Sequence, residues 1–95
     1  MNNPLEKDIE KRVKVYAENH GWLTRKWTSP GHSFVPDQIF ITPTGRTIFI
    51  EFKREGGVAT PGQLREHEKL RKQGCEVYVI DSVESGKELV DANNK

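Results

Sequence analysis

The sequence predicts a small mixed α/β domain with the element order α-β-β-β-α-β-α, its mixed sheet flanked by helices. Three observations predict it. Leu5, Ile9, Val13, Tyr16 and His20 recur at steps of four, four, three and four, which marks one face of a helix. Segments rich in β-formers follow, separated by Gly- and Pro-containing breaks, of which Pro43-Thr44-Gly45 is the tightest. A second helical start, Thr60-Pro61-Gly62-Gln63, then divides these strands from the apolar run Val77-Tyr78-Val79-Ile80.

The first helix has Asn3 as its candidate cap, Pro4 at the first helical position and Glu6 where a capping-box partner reaches back; Gly21 is its left-handed stop. Trp22 to Thr28 reads as a strand, and Ser29 to Ser33 as a break. Asp37–Thr42 and Thr47–Lys53 read as the two arms of a hairpin, and Arg54–Ala59 as a flexible loop. The second helix runs from a Thr60 cap through Leu64 and Leu70 to a stop at Gly74. Glu76–Ile80 is a buried type of strand, and Ser82 opens a last helix through Lys87, Leu89 and Val90.

A chain of 95 residues has room for one domain, residues 1–95. Its modest core favours a partner subunit. Two Trp, two Tyr and four Phe argue against disorder despite 31% charged residues. The net charge of +1 supplies no global attraction to an acidic polymer, so any nucleic-acid contact has to come from a local patch. The apolar runs are too short for a membrane span, and the first residues carry no apolar leader, so the expected location is the cytoplasm. A single cysteine, Cys75, excludes an intrachain disulfide and a cysteine zinc cluster.

The hairpin is the most informative stretch. Pro43-Thr44-Gly45 fits a type I turn followed by a left-handed glycine, which sets Thr42 opposite Arg46. Asp37 then faces Glu51 and Ile39 faces Phe49, while Gln38 and Phe40 face Ile50 and Ile48 on the other side. Both faces are apolar at mid-strand, so helices are expected on both. Two carboxylates directly across an antiparallel pair lie roughly 4.5–5.5 Å apart at Cβ and repel each other, unless a cation sits between them. Lys53 projects from the same face as Glu51. Two carboxylates with a neighbouring ammonium are the minimal equipment for hydrolysing a phosphodiester with a hard metal: the ion polarises the phosphate and acidifies a water that the lysine orients.

The order Pro36-Asp37, then Glu51-Phe52-Lys53, resembles the PD-(D/E)XK (restriction-endonuclease-like) nuclease pattern. Within that superfamily the chain is similar to the small stand-alone VRR-NUC, or virus-type replication-repair nuclease, proteins. Ser29-Pro30-Gly31, Val35-Pro36-Asp37, Glu51-Phe52-Lys53 and Gly74 before the last strand carry the likeness. The resemblance implies a DNA endonuclease dependent on Mg²⁺ or Mn²⁺, usually homodimeric and akin to Holliday-junction resolvases, with branched duplex DNA as its partner. Asp37 and Glu51 would be metal ligands, with the Phe52 carbonyl as a further oxygen, and Lys53 would serve the attacking water. The first-helix acid of the family maps to Glu10, with Glu6 one turn earlier as the alternative. Gln63 resembles the family's glutamine on the second helix, and it equally completes the Thr60 capping box. One stretch departs from the pattern: His32-Ser33-Phe34 stands where relatives tend to carry Arg or Gly, and His32 reads as a loop residue without catalytic duty.

Arg25, Lys26 and Arg54 are the residues expected to meet DNA phosphates. Arg65, Lys69, Arg71 and Lys72 read instead as a solvated helix face with a Glu68–Lys72 ion pair. Trp22 and Trp27 suit the core or an interface, His20 suits the negative end of its helix, His67 reads as partly buried, and Cys75 as a buried small residue. Two other functions fit the same composition. One is a non-catalytic nucleic-acid-binding module of this fold, against which the intact Asp37, Glu51 and Lys53 count. The other is a small regulatory protein whose paired acids are coincidental.

Overall fold

The structure is a computed structural model and describes residues 5–94. Helix α1 (Glu6–Asn19) leads into strands β1 (Leu23–Lys26), β2 (Gln38–Ile41) and β3 (Thr47–Phe52). Helix α2 (Pro61–Lys72), strand β4 (Glu76–Ile80) and helix α3 (Val83–Ala92) complete the predicted order. The sheet runs β1-β2-β3-β4, antiparallel through the first three strands and parallel between β3 and β4, which α2 connects.

The turn chemistry sets the register as expected. Gly45 takes φ 89°, its N–H donates to the Thr42 carbonyl at 2.9 Å, and Thr42 N–H donates to Arg46 O at 2.9 Å. Ile39 pairs with Phe49 and Phe40 with Ile48. Both long helices end in the same double bond around a left-handed glycine. After α1, Gly21 N–H reaches Glu18 O and Trp22 N–H reaches Ala17 O; after α2, Gly74 N–H reaches Arg71 O and Cys75 N–H reaches Leu70 O.

The start of α1 differs from expectation. Asn3 and Pro4 lie outside the described residues, and the residue in the cap position is Leu5, extended at φ −73° and ψ 152° with no side-chain cap bond. Glu6 is therefore the first helical residue, not the third, and a capping-box role is closed to it.

The core lies on one side of the sheet. Ile9, Val13 and Ala17 of α1 and Val90 of α3 close over Phe40, Ile48, Ile50 and Phe52, with Trp22 at the end of α1. Helices lie on both faces as expected, but the opposite face is only partly covered. There α2 lies over β4, and Ile39, Ile41 and Phe49 stay half-buried with Leu23 52% exposed. The apolar content of that face exceeds what one twelve-residue helix at the β4 side can shield. Cys75 is half-buried, not enclosed, because it follows the helix stop at the start of β4. Among the described residues no helix is long and apolar enough to cross a membrane.

Two helical glycines mark close approaches of different kinds. A Cβ on Gly86 of α3 would overlap the methyls of Val13, which is fully enclosed; a Cβ on Gly62 of α2 would come within 2.7 Å of the Phe34 ring, which is 47% exposed. The expected outcome is that Gly86→Ala costs about 1–3 kcal/mol through overpacking. Gly62→Ala stays within about 1 kcal/mol of the parent, because Phe34 swings aside and alanine favours the helix. Urea unfolding of the two variants checks both values.

Candidate active site

Asp37 is placed by three neighbours. Pro36, fully buried, delivers the chain to it; its carbonyl accepts from Trp27 N–H at 2.8 Å; and its Oδ2 accepts from Phe52 N–H at 3.1 Å. Trp27 in turn packs on Phe49 with ring centroids 5.1 Å apart, which anchors the strand end that carries Asp37. The Phe52 bond draws the Asp37 carboxylate across the hairpin toward the third strand.

Glu51 is 2% exposed, unusual for a carboxylate. The two acids meet on the same face of the sheet. Glu51 is pushed up to about 9, first by burial, then by a hydrogen bond shared with Asp37 and by the charge of Asp37, while Lys53 acts in the opposite direction. Its Oε1 is buried and has no hydrogen-bond partner among the described residues. Lys53 is half-buried beside them, its N–H tied to Ile80 O at 2.9 Å by continuation of the parallel ladder.

The first-helix acid that acts on this pair is Glu6. Its charge is felt by Glu51, and its own carboxyl is raised by partial desolvation first and then by Asp37, with Lys53 pulling it back. Glu10 acts on Glu6 but is not among the charges that shift Glu51. The helix phase explains this. Glu6 extends the buried stripe Ile9-Val13-Ala17 by one step of three toward the strand ends, whereas Glu10 lies beside that stripe.

Gln63 is engaged elsewhere. Its Oε1 accepts from Thr60 N–H at 2.9 Å, and its own N–H donates to Thr60 Oγ1 at 3.2 Å, so its carbonyl oxygen completes the helix cap. Phe52 contributes backbone only, since its ring is in the core. Among the described residues no three His, Cys, Asp or Glu side chains gather into a full metal-donor set. The Asp37–Glu51 pair nevertheless fits a hard divalent ion. Two repelling carboxylates, one with an orphaned buried oxygen, are what such an ion takes when it keeps several of its waters.

The three expected DNA contacts separate. Arg25 lies on the face that carries Glu51, with its guanidinium on Thr24 O at 2.8 Å. Lys26, one residue on, belongs to the α1 face at the sheet edge. Arg54 is exposed and lines an open groove of about 720 Å³ with Leu5, Glu6, Lys53 and Gly57. On α2 the ion pair is Glu68–Arg71 at 3.3 Å, not Glu68–Lys72, because Arg71 also reaches Val77 O at 2.8 Å and is held there.

One residue at the site was not among those expected there. His67 of α2 is fully buried, with Nε2 3.7 Å from Glu51 Oε1. Its spacing of three from Leu64 and Leu70 suggested partial burial on an apolar stripe. The structure reverses that order, with Leu64 48% exposed and the histidine inside.

No family model matches the chain. The chain is 42% identical over 77 residues to "Putative nuclease p44" of Acyrthosiphon pisum secondary endosymbiont phage 1, an alignment covering 81% of this chain and 83% of that protein. A solved structure described as a VRR_NUC domain superposes with a TM-score of 0.85 at 37% identity, covering 93% of this chain and 96% of its own. A second, described as a VRR_NUC domain protein, gives a TM-score of 0.76 at 19% identity over 95% of this chain and 88% of its own, a likeness of fold. On the identity and coverage of these relatives, the chain belongs to the VRR-NUC nuclease family.

Proposed function

We propose that residues 1–95 form a single nuclease domain that hydrolyses DNA phosphodiesters with Mg²⁺ or Mn²⁺, acting on branched duplexes as a homodimer. The observation that carries this reading is the buried Glu51 carboxylate set against the half-buried Asp37 on one face, with Lys53 beside them. A fold selected for stability alone would not bury one carboxylate against another without a cation to share. Asp37, Glu51 and the Phe52 carbonyl would hold the ion, with Glu6 at the rim in the place expected of Glu10. An ion held there supplies Lewis acidity toward the scissile phosphate and acidifies water.

The protein's own groups do the rest. Phe52 N–H keeps the Asp37 carboxylate turned inward. Lys53 orients the attacking water and steadies the charge that develops on the phosphate. Arg54 and Arg25 hold flanking phosphates, and Lys26 reaches the strand from the sheet edge. Gln63 serves as helix cap. The half-covered face around Leu23, Ile39 and Phe49 offers apolar area for a second copy, and two sites related by a two-fold axis would cut two strands of a junction symmetrically.

Incubating supercoiled plasmid and a four-way junction with Mg²⁺ or Mn²⁺, with and without EDTA, tests the reading. Metal-dependent cutting with paired incisions in the junction is expected; no metal-dependent cutting of either substrate sinks it. Asp37→Asn should lower cutting by about 100-fold or more while DNA binding persists in a gel-shift assay. Glu6→Gln should reduce cutting measurably, and Glu10→Gln should leave the rate near that of the parent, which a single-turnover assay separates.

Stability should carry the same signature. Glu51 titrates near 9 in the fold against 4.5 as its ordinary value, so the unfolded chain binds fewer protons between these limits. Its contribution is complete below about pH 4.5 and is lost as pH rises toward 9. In EDTA, Glu51→Gln should therefore melt higher than the parent by a margin that widens as pH rises across this window. Melting curves at stepped pH read the margin directly.

A further inference from the structure

We propose that His67 is a positioning residue for Glu51, donating its Nε2–H to Oε1 and thereby fixing which carboxylate oxygen is turned toward Asp37. The inference rests on the reading of Glu51 as a metal ligand and assigns the part of the site that the paired acids leave unexplained.

The composition of α2 is the first argument. Its fully buried positions are Gly62 and His67, while Leu64 is left 48% exposed. A helix selected for packing alone would turn leucine in and histidine out. The second argument is the pattern of unsatisfied groups. Glu51 Oε1 and both ring nitrogens of His67 are buried without hydrogen-bond partners among the described residues. A buried donor or acceptor left without a partner loses its hydration and gains nothing in exchange. Here an oxygen and a ring nitrogen stand 3.7 Å apart, and a shift of less than about 1 Å joins them at ordinary hydrogen-bond length.

The surroundings favour the neutral ring that this role needs. The ring is fully enclosed, which disfavours its charged form. A neutral imidazole offers one donor and one acceptor, so donation at Nε2 leaves Nδ1 as the bare nitrogen. The bond to Oε1 leaves Oε2 as the oxygen available beside Asp37, and it stops the Glu51 side chain from turning away when the two acids are both charged. This is the outer partner that orients a ligating carboxylate, and removing such partners typically weakens metal binding 10–100-fold.

The test compares His67→Leu, which fills similar volume without a donor, with His67→Gln, which restores a neutral N–H, using Mn²⁺ alone as probe on the full chain. Titration calorimetry, with thermal melts confirming the fold, should show Mn²⁺ affinity reduced 10–100-fold in His67→Leu and largely recovered in His67→Gln. In cleavage assays kcat should follow the same order with KM for DNA little changed. Parent-like Mn²⁺ affinity in His67→Leu overturns the proposal, as does a folded His67→Gln as impaired as His67→Leu. Long-range proton–nitrogen spectra of the parent in EDTA should show His67 as the Nε2–H tautomer, a readout independent of either variant; the Nδ1–H tautomer refutes it. So does a directly bound imidazole nitrogen in the Mn²⁺ spin-echo spectrum. Glu51→Gln measured alongside separates the two levels: if it binds Mn²⁺ like the parent, the ligand reading of Glu51 fails and His67 falls with it. Loss in Glu51→Gln with none in His67→Leu refutes the histidine role alone.

Discussion

The site depends on one uncomfortable contact, two carboxylates held against each other on a half-dry face of a sheet. Everything near it serves that contact. Trp27 and Phe52 hold the Asp37 backbone and carboxylate by main-chain donors, the β3–β4 ladder fixes the strand from which Glu51 and Lys53 project, and α2 closes the interior behind Glu51. Because the Asp37 donors are backbone groups, its carboxylate stays turned toward the third strand while the strands remain paired. The backbone thus fixes one member of the pair, and the enclosure of Glu51 confines the other.

Much of this was legible in the sequence because the controlling signals are local. A proline-threonine-glycine turn decides its own geometry, and the register of six following residues comes with it; the antiparallel partners Ile39–Phe49 and Phe40–Ile48 are those expected. Gly21 and Gly74 ended their helices for an equally local reason, since each takes a positive φ that other residues resist. The facing of Asp37 and Glu51 followed from these.

What was not legible lies between elements. Whether Glu6 or Glu10 stands nearer the paired acids depends on the rotation of α1 against the sheet, which Ile9, Val13 and Ala17 settle by filling the core, and Glu6 is the one whose charge Glu51 feels. The inward placement of His67 had no signal in hydrophobic spacing, which sees Leu64 and Leu70 first. A histidine between two glutamates, on the helix after Lys53, was the only hint. The extent of cover on the second sheet face was hidden for a related reason: alternation shows that a face is apolar but says nothing of how far one short helix extends across it.

The hairpin arms also set a rule of parity. Asp37 stands five residues before Thr42 and Glu51 five after Arg46, so the arms are equal in length. Lengthening the turn leaves that equality untouched, whereas removing one residue from a single arm sends its acid to the core side of the sheet. Removing one from each arm keeps the acids opposed but buries both among Phe40, Ile48 and Ile50. Only matched changes of two per arm leave the chemistry where it is. Sister sequences built on this hairpin should therefore vary their acid-to-acid interval through the turn, or in jumps of four.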